Sequence, residues 1–143
     1  YEYLNLNEDF LMTYGDGLSN ISIKNLLKFH YKKKAKVTVT AVRPKQRYGV
    51  LKIIDDKVSY FDNSKKKTDV YINGGYHVIS KQAVSKIKNI KTYWEKEPLN
   101  YFKNKKFLFA FKHEGFWKSL DTLKDKNDFN LLYKQKKYLW KLK

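Results

Sequence analysis

The chain has no cysteine among its 143 residues. Disulfides and thiolate metal sites are therefore excluded, and a cytoplasmic setting is the simplest expectation. It has no run of about 18 apolar residues, so no membrane-spanning helix is expected. A basic-then-apolar leader is also absent, and the chain starts at Tyr1 rather than Met, which suggests a missing upstream piece. Arginine is nearly lacking: Arg43 and Arg47 are the only two. That scarcity matters because the net charge is +17. A reader of base edges or a bidentate phosphate clamp draws on the planar guanidinium fork, which lysine lacks. The lysines are also spread along the whole sequence. They read as a solvated, compositionally biased surface rather than as a nucleic-acid interface, although twelve tyrosines would offer stacking surfaces.

What is present argues for a folded chain. The sequence is 42% hydrophobic and 17% aromatic, too apolar for a disordered segment, and its length fits one domain. Phe10 to Tyr14 reads as a buried strand that stops in the turn Gly15-Asp16-Gly17. Ser19 then stands as a helix cap before Ile21, Ile23, Leu26, Leu27 and His30. Lys36 to Val42 is β-branched and reads as a strand. Gly49 to Ile54 and Lys57 to Phe61, separated by Asp55-Asp56, predict a hairpin. Asn63 to Asp69 reads as an exposed polar loop. Val70 to Ile79 is a strand interrupted by Gly74-Gly75. Helices are expected over Lys81 to Ile87, over Glu97 to Asn104 and from Asp121 onward, with a strand at Phe107 to Phe111. This alternation predicts an α/β domain with a mixed, largely parallel sheet. Ligands in such sheets sit beyond the carboxyl ends of strands, where Asp16 falls. If Phe10 to Tyr14 is a central strand, its neighbours on one side are not in this chain, and a long apolar edge is exposed.

Two segments carry candidate chemistry. Gly15-Asp16-Gly17 is either a hairpin turn or a place where the backbone lets a ligand approach an outward carboxylate. Asp121, in His113-Glu114-Gly115-Phe116-Trp117-Lys118-Ser119-Leu120-Asp121-Thr122, is a helix cap, a ligand, or both.

Read in order, several islands acquire a joint meaning. They are Phe-Leu-Met-Thr-Tyr-Gly-Asp-Gly (10–17), Thr-Ala-Val-Arg-Pro (40–44), Arg-Tyr-Gly (47–49), Ile-Asn-Gly-Gly (72–75), Trp-Glu-Lys-Glu-Pro-Leu (94–99), Gly-Phe-Trp (115–117) and Asp-Thr-Leu-Lys-Asp-Lys (121–126). Together they resemble the glucose-1-phosphate cytidylyltransferases, a family of sugar nucleotidyltransferases, from about Phe10 to Leu131. The resemblance implies a Rossmann-like domain of which this chain holds the C-terminal, sugar-binding part. It also implies transfer of a cytidylyl group from CTP to glucose 1-phosphate, with release of pyrophosphate and dependence on Mg²⁺. By the same resemblance Asp16 and Asp121 are the catalytic metal ligands, and Tyr14, Gly15, Asn73, Gly74 and Trp117 lie against the substrate. Arg43, Arg47, Glu95 and Glu97 fall in matched motifs without a role that can be carried over. His30, His77 and His113 need none.

Two departures qualify the expectation. The glycine-rich loop with its Arg and Pro-Lys that opens the family is not in this sequence, so the chain is expected to be inactive alone. It would need a separate N-terminal half or a homo-oligomer as partner. Where the family places Glu-Lys-Pro after the second hairpin strand, this chain has Asn63, Ser64 and Lys65. The competing readings are a non-enzymatic remnant that binds a sugar phosphate or a partner, and a basic nucleic-acid-binding protein.

Overall fold

The structure, a computed structural model, describes residues 8–45, 50–62, 64 and 70–141. The centre of the fold is Val37–Val42 (β3), whose sequence VTVTAV is β-branched at five of its six positions and buried on both faces. It lies between Ile72–Ile79 (β6), antiparallel, and Leu108–His113 (β7), parallel. Phe10–Thr13 (β1) pairs antiparallel with the far side of β6, which gives the order β1-β6-β3-β7. Only one of these three pairings is parallel. The sheet is mixed as expected, but the largely parallel character is not observed. The reason is the direction of β6, which runs against both of its neighbours.

Helices cover both faces. Ile23–Lys32 (α1) lies on one side, where Ile21, Leu26 and Val78 form a buried cluster with Ile23, Leu27, Tyr76 and Phe111. A short 3-10 helix, Lys81–Lys86, and Glu97–Asn104 (α2) lie on the other. There Val37, Ile79, Ala83 and Phe102 are buried together, with Phe10, Met12, Trp94 and Leu99 packed around them. Burying Leu26 and Val37 completely contributes on the order of 1.5–3 kcal/mol each. Pro98 opens α2, a position where its missing N–H costs nothing.

Helix starts follow side-chain capping. Ser22, not Ser19, caps α1: its hydroxyl accepts the Asn25 N–H at 3.3 Å. Ser19 belongs instead to a strand, Gly17–Ser19 (β2), which the glycine-flanked turn concealed. Its partner, Trp117–Ser119 (β8), was equally hidden among aromatic residues. Leu123–Lys134 (α3) begins at a capping box in which Thr122 and Asp125 satisfy each other's backbone N–H groups. Asp121 is therefore not the cap.

Val50–Ile54 (β4) and Lys57–Asp62 (β5) form the expected hairpin. Its turn holds Asp55 at φ 45° and Asp56 at φ 61°, the left-handed pair that a two-residue hairpin turn requires. Leu51, Ile53, Val58, Tyr60 and Phe61 stay more than half exposed on this ribbon. Most of the expected polar loop after it, including Asn63 and Lys65, lies outside the described residues, as does Arg47.

Candidate active site

The three-residue ribbon β2–β8 joins two segments about a hundred residues apart in sequence. Gly17 faces Ser119, Leu18 faces Lys118 and Ser19 faces Trp117. One step beyond the ribbon, the Leu120 N–H donates to the Asp16 carbonyl at 2.8 Å. Asp16 and Asp121 are thereby brought to the same end of one ladder, both exposed. Ser119 Oγ donates to Asp121 Oδ2 at 2.7 Å and so orients that carboxylate. The turn before the ribbon is open: a Cβ on Gly15 would meet nothing within 4 Å.

The β6 strand supplies the neighbouring wall. Between Val39 and Ala41 on β3 the register against β6 shifts, so that Val39 faces His77 while Ala41 faces Asn73. Gly74-Gly75-Tyr76 stand opposite Thr40 alone, two residues in excess, and make a bulge of the kind that re-aims a side chain beside a site. Glycine is required here. A Cβ on Gly74 would lie 2.8 Å from Val42 Cγ1 and 3.2 Å from the Thr40 carbonyl oxygen. Gly75 sits at φ +78° with Tyr14 packed on its α-carbon, and the Tyr14 N–H donates to its carbonyl at 2.9 Å. Trp117 Nε1 donates to the Gly74 carbonyl at 2.8 Å, and Tyr76 Oη to that of Gly17 at 2.9 Å. The bulge and the ribbon are thus stitched together. The structure gathers Tyr14, Gly15, Asp16, Asn73, Gly74, Trp117 and Asp121 at one end of the sheet, beyond the carboxyl end of β1.

A chain of polar side chains runs through the same corner. Trp94 Nε1 can only donate, so its contact of 3.3 Å makes His77 Nδ1 the acceptor. The imidazole proton then sits on Nε2 and is donated to Asn73 Oδ1 at 2.9 Å. That oxygen also accepts the Gly75 N–H at 3.0 Å. With its oxygen so engaged, Asn73 turns its amide to Glu95 Oε1 at 2.7 Å. Tyr14 Oη donates to the same carboxylate oxygen at 2.5 Å. Burial lowers the pKa of His77 to about 4, so it stays neutral in this chain of bonds. The Tyr14 phenol is pushed upward, first by burial and then by its bond to Glu95. Asp16 adds to that rise through its charge, which sets the two side chains in one electrostatic neighbourhood.

His77 and Glu95 were not given roles on sequence grounds. A histidine inside an apolar strand reads as core, and nothing local marks Glu95 except its place in Trp-Glu-Lys-Glu-Pro. Arg43 is engaged with Glu114 at 2.7 Å, and Lys118 with Asp128 at 2.6 Å. Among the described residues no cluster of three or more metal-binding side chains occurs, so the candidate metal site rests on a carboxylate pair.

The architecture recurs in solved structures. HddC from Yersinia pseudotuberculosis superposes with a TM-score of 0.60 over 89% of this chain and 56% of that one, at 20% identity. A Bacillus anthracis protein assigned as a glucose-1-phosphate thymidylyltransferase, solved with sucrose, gives 0.63 over 88% and 55%, at 19% identity. The fold is that of the sugar nucleotidyltransferases. No protein-family model matches the chain. Its sequence is 39% identical over 140 residues to the glucose-1-phosphate cytidylyltransferases of Salmonella typhimurium and Salmonella typhi. The chain is a relative of glucose-1-phosphate cytidylyltransferase and corresponds to its C-terminal part. The match takes in 98% of this chain, which spans about half, 54%, of the length of those curated relatives.

Proposed function

We propose that this chain is the metal- and sugar-phosphate-binding part of an enzyme that transfers a cytidylyl group from CTP to glucose 1-phosphate, forming CDP-glucose and pyrophosphate. The observation that supports the proposal is the pairing of β2 with β8, which brings Asp16 and Asp121 to the same end of one ladder. Mg²⁺ favours one or two carboxylates completed by waters and phosphate oxygens, and this donor pair fits it. Bound there, the ion would offset phosphate charge and help align the triphosphate with the sugar phosphate. The reaction joins a sugar-phosphate oxygen to the α-phosphorus and breaks its bond to the pyrophosphate leaving group. Because the attacking oxygen is already an anion, no side chain must take a proton from it, and none of the gathered residues stands out as a general base. What the chain contributes is placement. Asp16 and Asp121 hold the ion, while Asn73, the Gly74 backbone, Tyr14 and Trp117 shape the sugar end.

The free side of β1 supports the expectation of a partner. β1 pairs only through β6 among the described residues, and Leu11 on it is 48% exposed. An added strand from a separate N-terminal half, or from a second copy, would satisfy that edge. The test is reconstitution. The isolated chain is expected to bind Mn²⁺ and glucose 1-phosphate without releasing pyrophosphate from CTP. Supplying a relative's N-terminal half should restore release. Failure of the wild-type chain to bind either ligand would remove the proposal.

A further inference from the structure

Glu95 is placed in a way that its exposed position does not require. Both of its hydrogen bonds fall on one oxygen, Oε1, which accepts from Tyr14 Oη at 2.5 Å and from Asn73 Nδ2 at 2.7 Å. Neither bond uses Oε2. An exposed glutamate ordinarily samples many rotamers, and here two neighbouring donors, themselves 3.4 Å apart, restrain it. The donors are themselves fixed. Tyr14 is packed on Gly75, and Asn73 is locked through its Oδ1 by the Gly75 N–H and by buried His77, which Trp94 holds in turn. Five residues, Tyr14 just past β1, three from β6 and Trp94 before α2, thus converge on the direction of a single carboxylate.

The charge of that carboxylate says what it meets. A second anion beside a phosphate group would repel it, so Glu95 is not a phosphate contact. Asp16 and Asp121 stand on the side that would carry the metal and the phosphates. Glu95 is bonded to neither aspartate but to Tyr14 and Asn73. A preorganised carboxylate that does not face a phosphate is suited to accept a hydroxyl, and sugar hydroxyls are neutral donors of that kind.

Resting on the proposed function above, we infer that Glu95 is a specificity residue that accepts one hydroxyl of the sugar ring, with Trp94, His77 and Asn73 as the positioning residues that aim it. The chain therefore distinguishes sugar phosphates by a hydroxyl at a fixed place on the ring, and not by the phosphate alone.

The experiment measures calorimetric binding of glucose 1-phosphate, a panel of monodeoxy glucose 1-phosphates and inorganic phosphate to the chain with Mg²⁺. Wild type should bind one member of the panel about ten- to a hundredfold more weakly than glucose 1-phosphate, the usual loss for a hydrogen bond to a charged group. Glu95→Gln, nearly isosteric at an exposed position, should bind all members within about threefold of each other while leaving inorganic phosphate binding unchanged. Undiminished discrimination by Glu95→Gln would overturn the role of Glu95 and leave the site itself standing. Equal weakening of inorganic phosphate and sugar phosphate would also overturn it, since the effect would then be general. If wild type bound no sugar phosphate, the role of Glu95 and the proposed function would fall together.

Discussion

The Leu120 N–H points at the carbonyl of Asp16, 2.8 Å away, across a gap of more than a hundred residues of sequence. That one bond extends the β2–β8 ladder by a step and keeps Asp16 and Asp121 at the same end of it. Each carboxylate is exposed.

Asp16→Asn and Asp121→Asn should each weaken Mn²⁺ binding by at least about tenfold, because each removes a charged donor from a two-carboxylate set. Titration followed by the Mn²⁺ electron paramagnetic resonance signal measures it directly. Both side chains are exposed, so melting temperatures should stay close to wild type.

Gly74→Ala should destabilise the fold by about 1–3 kcal/mol. The new methyl would meet Val42 Cγ1 at 2.8 Å and the Thr40 carbonyl at 3.2 Å, and a backbone oxygen cannot step aside. Urea unfolding monitored by tryptophan fluorescence reports the change. The same variant should shift the Trp117 signal in the folded state, since its indole bonds to the Gly74 carbonyl.

Thr122→Ala removes half of the capping box at the start of α3 and should cost about 1 kcal/mol, a fall of roughly 3 °C in Tm. Thr122→Ser should recover most of it, because the hydroxyl that accepts the Asp125 N–H is retained. Differential scanning calorimetry distinguishes the two.

Acid should destabilise the chain from about pH 6.5 downward. His77 has a folded pKa near 4, below the ordinary histidine value of 6.5, because burial opposes its charge. The unfolded state therefore takes up a proton that the folded state refuses. Stability from this residue is full above pH 6.5, falls as pH drops toward 4 and levels off below that. Linkage puts the loss at about 3 kcal/mol across that window. Burial lowers His30 as well, and its contribution has the same sign. Unfolding at pH 7.5 and 4.5, with the His77 ring followed by NMR, tests both the slope and its source.

Local pattern made much of the fold legible. The strand Lys36 to Val42, the hairpin around Asp55-Asp56 and the helix Glu97 to Asn104 are set by β-branched runs, a turn and a helical stripe, and each falls where its residues predict. The direction of β6 is not local, and neither is the pairing of β2 with β8. Both depend on which distant segment a strand meets, so the sheet is less parallel than the strand–helix alternation implied. The candidate site divides in the same way. Asp16, Asn73 and Asp121 were visible through motifs. The bonding that links Trp94, His77 and Glu95 was not, because histidine and tryptophan in an apolar context read as core until their ring nitrogens are seen to meet. The 3-10 helix at Lys81–Lys86 falls where the sequence predicts an ordinary helix, and its six residues carry no spacing that separates the two.

The hairpin of β4 and β5 exposes large apolar side chains along a ribbon only two strands wide. Such a ribbon has little cooperative tie to the sheet, and two strands alone are marginal in water. Its amides should exchange with solvent deuterium long before those of β3, so the chain melts as two units instead of one. A single unfolding temperature would describe the sheet and be silent about the ribbon.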